Sequence, residues 1–254
     1  MNHVFAIARR ELGAYFDAPL AYFAVTIYVI LVGAFALWFD DMFDAGAASL
    51  RSLFFWAGIF LVLLTPAVTM RLFAEERRVG SIELLLTLPV TEGELVLGKY
   101  LAALGLVSTA VLATGTYAIT LLILGTPPGE GVALIRALTE SSLEPGPTLC
   151  GYLGLLLLGA ALTAIGLACS SLTSNQVVAF LLALALSIFP FAVGFFLEQV
   201  PLESLALVQY LSFDYHRNNL ARGVLDTRNL VFFGSVIGVA LHVAVAALER
   251  ERLR

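Results

Sequence analysis

The residues Gly93-Glu94-Leu95-Val96-Leu97-Gly98-Lys99 have the G-x-x-x-x-G-K spacing of a phosphate-cradling loop. In such a loop, backbone N–H groups surround the phosphates, the lysine reaches them, and a following Ser or Thr binds Mg²⁺. Here Tyr100 stands in the Mg²⁺ position, no strand precedes the string, and the chain runs straight into the apolar stretch Tyr100–Leu124. The string is therefore not read as a nucleotide site. His216 lies two residues from Asp214, with Asp226 further on, which is too few ligands for a metal centre. His242 falls inside an apolar run and shares a four-residue spacing with Gly234 and Gly238. The G-x-x-x-G string Gly234–Gly238 predicts close helix packing, with a neutral His242 hydrogen-bonding across the interface. No nucleophile triad, zinc motif or carboxylate pair occurs within the apolar runs. Asp40, Asp41 and Asp44, and Glu130, Glu140 and Glu144, read as solvated acidic rims.

The elements that carry these residues follow from composition. Of 254 residues, 60% are hydrophobic and 13% charged, and the mean hydropathy is +0.94. Soluble domains carry about 25% charged residues, so this chain could not cover a globular surface. Disorder requires the opposite composition. A net charge of −5 excludes a nucleic-acid binder, which needs clustered Lys and Arg. The remaining class is an all-α polytopic membrane protein. Apolar runs predict six spans, at about 18–39, 53–70, 96–124, 148–172, 177–197 and 230–248. Cys150 and Cys169 fall on one predicted span, too far apart along a helix to bond, and read as small packing residues. Gly151, Gly154, Gly159 and Gly166 on that span predict close helix packing.

With both termini inside, nine Lys and Arg face the cytoplasm and five face out. This bias predicts that both termini are cytoplasmic. Residues 1–17 carry Val4, Phe5, Ala8, Leu12, Tyr15 and Phe16 near a 3.6-residue period, with Arg9, Gly13 and Asp17 elsewhere. They predict an amphipathic interfacial helix that turns into the membrane at Pro19. The external segment 198–229 is expected to fold against the outer mouth, with Asp226 capping the last span.

The segment 71–95 is the most informative. Glu75, Glu76, Arg77 and Arg78 continue span 2 as a charged helix. Gly80 predicts a left-handed stop, and Ser81 is expected to cap a short helix with Glu83 in its first turn. Pro89 ends that helix. Thr91 and Glu94 form a capping box for the next one. Ile82, Leu84, Leu85, Leu86 and Leu88 make the short helix too apolar for a free surface, so chain, lipid or a partner must cover it.

The string Glu76-Arg77-Arg78-Val79-Gly80-Ser81-Ile82-Glu83-Leu84-Leu85-Leu86-Thr87-Leu88-Pro89-Val90-Thr91, followed by Leu97-Gly98-Lys99, resembles permease subunits of ATP-binding-cassette (ABC) exporters of the polysaccharide and drug export type. Ser170-Ser171-Leu172-Thr173-Ser174-Asn175-Gln176 and Ala221-Arg222-Gly223-Val224-Leu225-Asp226-Thr227-Arg228-Asn229-Leu230 extend the likeness, which is nearest to the gliding-motility-associated branch. The resemblance implies six spans, a dimer with a second copy or a different permease, and two cytoplasmic ATPase subunits that hold the ATP and Mg²⁺. This chain itself would hold no cofactor and catalyse nothing. The short helix from Gly80 to Pro89 would be the coupling helix, docking through Ile82, Glu83, Leu84 and Leu85. Glu75, Glu76, Arg77 and Arg78 would transmit its movement. An extracytoplasmic accessory protein is a further partner for such a permease.

Spans 1 and 5 line the pathway in the resembled family. Here they carry Tyr22, Tyr28 and Phe35, and Phe189 and Phe191, which favours a lipid-like or amphipathic cargo over a charged one. A secondary transporter is disfavoured, because the spans contain no Asp or Glu. The alternative that shares the same coupling element is an ATPase-driven mechanotransmitter or scaffold without transport.

Overall fold

The computed structural model describes residues 2–38, 50–86, 89–124, 145–197, 210–223 and 226–252. The acidic rims 40–44 and 130–144, residues 198–209, and the side chains of Glu83, Leu84, Phe195 and Phe196 lie outside the described residues. The helices are α1 (Asn2–Asp17), α2 (Pro19–Trp38), α3 (Arg51–Thr69), α4 (Ala74–Val79), α5 (Ser81–Leu86) and α6 (Glu92–Ala113). They continue with α7 (Gly115–Leu124), α8 (Pro145–Leu172), α9 (Gln176–Leu197), α10 (Phe213–Ala221) and α11 (Thr227–Arg252). No strand occurs among the described residues. The spans are α2, α3, α6 with α7, α8, α9 and α11, six in all, each long and apolar enough to cross a membrane. They form an all-α polytopic bundle.

Helix α8 is the axis of the bundle and packs on α3, α6, α9, α10 and α11. Small residues allow this. A Cβ at Gly151 would overlap the Phe54 ring, and one at Gly166 would overlap the Thr69 hydroxyl, so the backbones of α8 and α3 approach directly. Most of α8 is buried, whereas α9 and α11 are largely open on their outer faces. Several hydroxyls of α3 and α8 are satisfied within their own helix, as a lipid environment favours, whereas those of Tyr152 and Ser187 are buried without a hydrogen-bond partner among the described residues. Thr65 Oγ1 donates to the Leu61 carbonyl at 2.8 Å, Thr69 Oγ1 to Thr65 at 2.8 Å, and Thr163 Oγ1 to Gly159 at 2.7 Å.

Two apolar clusters divide the bundle along its length. One joins Tyr28, Val32, Leu53, Phe54, Leu158, Leu220 and Phe233. The other joins Val68, Phe73, Ile82, Leu95, Tyr100, Leu167 and Leu248. The second cluster marks the end that carries α1, α4, α5 and the last turns of α11. It is termed the terminal end below, and the opposite one the far end.

At the far end, α10 is tucked between α8, α9 and α11, so the described part of the segment 198–229 is packed. Arg217 is almost fully buried, against Phe55 and beside Gly58, and pairs with Asp214. Asn218 Nδ2 donates to the second Asp214 oxygen at 2.8 Å. The His216 ring stacks on Phe232 at 4.0 Å, with Nδ1 2.7 Å from Asn229 Oδ1 and Nε2 2.9 Å from the Tyr210 carbonyl. Asn229 Nδ2 has no partner among the described residues. Turning that amide gives a neutral imidazole one donor and one acceptor. The loop polar residues thus form a buried bracket. Asp226 Oδ1 accepts the Arg228 N–H at 2.9 Å, capping the entry to α11.

One expectation is corrected here. A Cβ added at Gly234 or Gly238 meets nothing, and His242 is exposed, so this small-residue stripe faces out of the chain and not into it.

The α4–α5 connection as candidate functional site

The connection between α3 and α6 sits at the terminal end, and its geometry begins with breaks. The charged segment is not a continuous extension of α3. That helix stops at Thr69, residues 70–73 turn, and α4 starts at Ala74. Ser170 of α8 fills the break. Its hydroxyl accepts the N–H groups of Phe73 and Ala74, both at 3.1 Å, and donates to the Met70 carbonyl at 3.1 Å. Orphan groups at a helix end and a helix start are thereby satisfied by one side chain.

Gly80 ends α4 with φ +77°, a left-handed conformation that glycine adopts without a Cβ clash. Ser81 is not the cap its type suggests. It is the first residue of α5, and its hydroxyl donates back to the Glu76 carbonyl at 3.4 Å. The next start follows the predicted capping box. Thr91 Oγ1 accepts from the Glu94 N–H at 3.3 Å, and Glu94 Oε2 accepts from the Thr91 N–H at 3.1 Å.

The G-x-x-x-x-G-K string lies within α6, a regular helix, and no loop is available to wrap a phosphate. Its lysine has another task. Lys99 is buried, 2.7 Å from Glu76 Oε1 of α4 and 3.4 Å from Glu11 Oε1 of α1, with the Phe73 ring 5.3 Å away. One ammonium therefore ties α1, α4 (termed the stalk below) and the third span, α6. Burial alone would raise the Glu11 carboxyl, but Lys99 and Arg10 together hold it below the ordinary range. Two further pairs bring in the last span. Arg77 lies 2.6 Å from Glu251, and Arg252 lies 2.5 Å from Glu92.

Helix α1 lies along α6 with Val4, Ile7, Ala8, Glu11, Leu12, Tyr15 and Phe16 on its half-buried stripe. Phe5 is instead 65% exposed, and Ile7 takes its place against Gly98. Tyr15 also donates its hydroxyl to the Val68 carbonyl at 3.0 Å.

The expected site residues therefore separate. Glu76 and Arg77 are ion-paired within the chain, while Glu75, Arg78, Val79 and Gly80 are exposed around the α4–α5 corner. Ile82 is buried in the terminal-end cluster and anchors α5, which removes it from any docking surface. Leu85 is half-buried against the same cluster, and Pro89 is exposed just beyond the helix. The pathway residues do not share a face. Tyr28 is buried with its hydroxyl donating to the Ala57 carbonyl at 3.2 Å, Phe35 packs on Trp56 and Phe60, and Phe191 approaches Gly58. Tyr22 and Phe189 point outward. Sequence reasoning missed the Lys99 hub. The signal was a carboxylate, Glu11, on the packing stripe of one helix and a lysine next to an apolar run on another, two charges that burial obliges to pair.

The profile of the family described as "ABC-2 family transporter protein" matches residues 40–213, more than half of the chain. The match takes in α3 to α9, and with them the whole α4–α5 connection. A comparison with curated proteins finds no match.

Proposed function

Because this chain belongs to the ABC-2 family of transporter proteins, and is thus a transmembrane subunit of an ABC transporter, we propose that it serves an ATP-driven exporter and docks its ATPase through the α4–α5 corner. In this reading two permease copies, or this chain and a different permease, engage two ATPase subunits that hold the ATP and Mg²⁺. The membrane is the bacterial inner membrane, with the terminal end in the cytoplasm. An extracytoplasmic accessory protein would meet the far end. Within the family, the strings at 76–99, 170–176 and 221–230 favour the gliding-motility-associated branch.

The observation that carries the reading is the clamping of a very short helix. Helix α5 is only six residues long, yet it is held by Ile82 in the core, by α4 through Gly80, and by ion pairs from α4 to α6 and α11, with Lys99 of α6 passing the first on to Glu11 of α1. A push on the corner reaches three other helices without passing through a flexible linker. Glu75, Arg78 and Val79 present charge and apolar surface at that corner, as a protein contact needs.

The test is co-purification of the ATPase with wild-type chain and with Val79→Asp and Arg78→Glu chains at equal membrane abundance. Loss of the ATPase and of stimulated hydrolysis is expected. Full recovery with undiminished hydrolysis would place the docking surface elsewhere. Orientation is checked with single cysteines at positions 2 and 254 in a chain lacking Cys150 and Cys169. An impermeant thiol reagent on intact cells should label neither, and labelling of either reverses the assignment.

A further inference from the structure

A cavity of about 650 Å³ opens beside the Lys99 hub, between α1, α2 and α3. Its volume lies within the roughly 300–1,000 Å³ of small-ligand sites. The cavity is amphipathic along its length. Ala21, Ala24 and Ile27 of α2, with Ala67 and Val68 of α3, form an apolar wall, and Glu11, Arg71, Glu75, Glu76 and Lys99 form a charged end. Phe23 and Ile27 are 68% and 50% exposed on a membrane-spanning helix, so the apolar wall opens towards lipid. The charged end lies at the level of the interfacial helix, where headgroups sit.

Charge narrows the occupant. Glu11, Glu75 and Glu76 meet Arg71 and Lys99 in the charged end; Lys99 is shared between Glu11 and Glu76, and Glu11 is also paired with Arg10. The second Glu76 oxygen is buried and has no hydrogen-bond partner among the described residues, which leaves the hub one acceptor to fill. Glu75 and Arg71 are exposed and form no ion pair among the described residues. An occupant that completes this end brings a cation with N–H donors for Glu75 and the hub, and an anion for Arg71.

We propose that the groove between α1, α2 and α3 binds a phospholipid with a primary-amine headgroup, from the leaflet at the terminal end. The ammonium lies towards Glu75, the phosphate towards Arg71, and an acyl chain runs along Ala24, Ile27 and Ala67. A quaternary ammonium has no N–H to donate, and an anionic headgroup brings no cation for Glu75. The lipid would wedge the interfacial helix against the stalk. This holds whether or not the α4–α5 corner docks an ATPase, because lipid binding is read without one.

The experiment uses the full chain, delipidated in detergent and mixed with phosphatidylethanolamine, phosphatidylcholine or phosphatidylglycerol of identical acyl chains. Native mass spectrometry reads the lipid retained. Phosphatidylethanolamine should be retained at least tenfold over the other two. Glu75→Gln with Arg71→Gln, both at exposed positions that leave the fold intact, should abolish the preference. Ala24→Trp should fill the groove and remove the bound lipid. A photoreactive residue at Ile27 should capture phosphatidylethanolamine in mixed vesicles, and one at Val239 on the outer face of α11 should not discriminate. Equal retention of the ethanolamine and choline lipids overturns the proposal. So does a preference for phosphatidylglycerol, or a preference that survives Glu75→Gln with Arg71→Gln.

Discussion

Ser170 and Phe73 stand 97 residues apart in the chain, yet the Ser170 hydroxyl accepts the Phe73 N–H at 3.1 Å inside the break between α3 and α4. Ser170→Ala removes this bond and those to Ala74 and Met70, leaving buried backbone groups unmet. The expected cost is about 1–3 kcal/mol. Thermal unfolding in detergent should fall accordingly. Amide exchange should accelerate first across residues 73–79, and unchanged protection there would mean the serine does not hold the stalk.

Lys99 answers two carboxylates at once, so its removal is asymmetric. Lys99→Met leaves Glu76 without its counter-charge and Glu11 with Arg10 alone, and should destabilise by about 3 kcal/mol. Adding Glu11→Gln and Glu76→Gln to Lys99→Met should restore most of the loss, which denaturation of all three chains would reveal. The pH dependence has a definite sign. The Glu11 carboxyl is held below its ordinary value in the fold. Its contribution is therefore complete above the ordinary carboxylate range and disappears as pH falls through the depressed value. Glu11→Gln should flatten the acid limb of a stability–pH profile, and an identical limb would contradict the pairing.

At the far end, Arg217→Leu strands Asp214 in a buried site, with an expected loss of about 3 kcal/mol. Arg217→Leu with Asp214→Leu should be the more stable of the two variants, because no charge is then left unpaired. Melting curves of both chains decide it, and the reverse order would show that Asp214 has other compensation.

Gly98 lets Ile7 of α1 approach α6 within van der Waals range. Gly98→Leu should lift α1 away while the six spans remain assembled. Trypsin should then cut rapidly at Arg9 or Arg10, with the rest of the chain as resistant as wild type. Equal cutting rates would argue that α1 is held by Tyr15 and Glu11 alone.

The membrane class, the six spans, the stop at Gly80 and the capping box of Thr91 and Glu94 were legible in the sequence. Each is local, because apolar length, a left-handed glycine and an i to i+3 cap depend on residues within one or two turns. The glycines of α8 were legible too, since a missing side chain permits close approach whatever lies opposite. The tertiary structure decided what lies opposite. It turned Ile82 inward and Tyr22 outward, left Gly234, Gly238 and His242 facing away from the chain, moved Ser81 from cap to tether, and joined Lys99 to Glu11 and Glu76. These outcomes depend on how each helix is rotated about its own axis. A span that is apolar all round carries almost no signal of that rotation. Only contacts between distant helices, such as Ser170 with Phe73 or Arg217 with Gly58, select it.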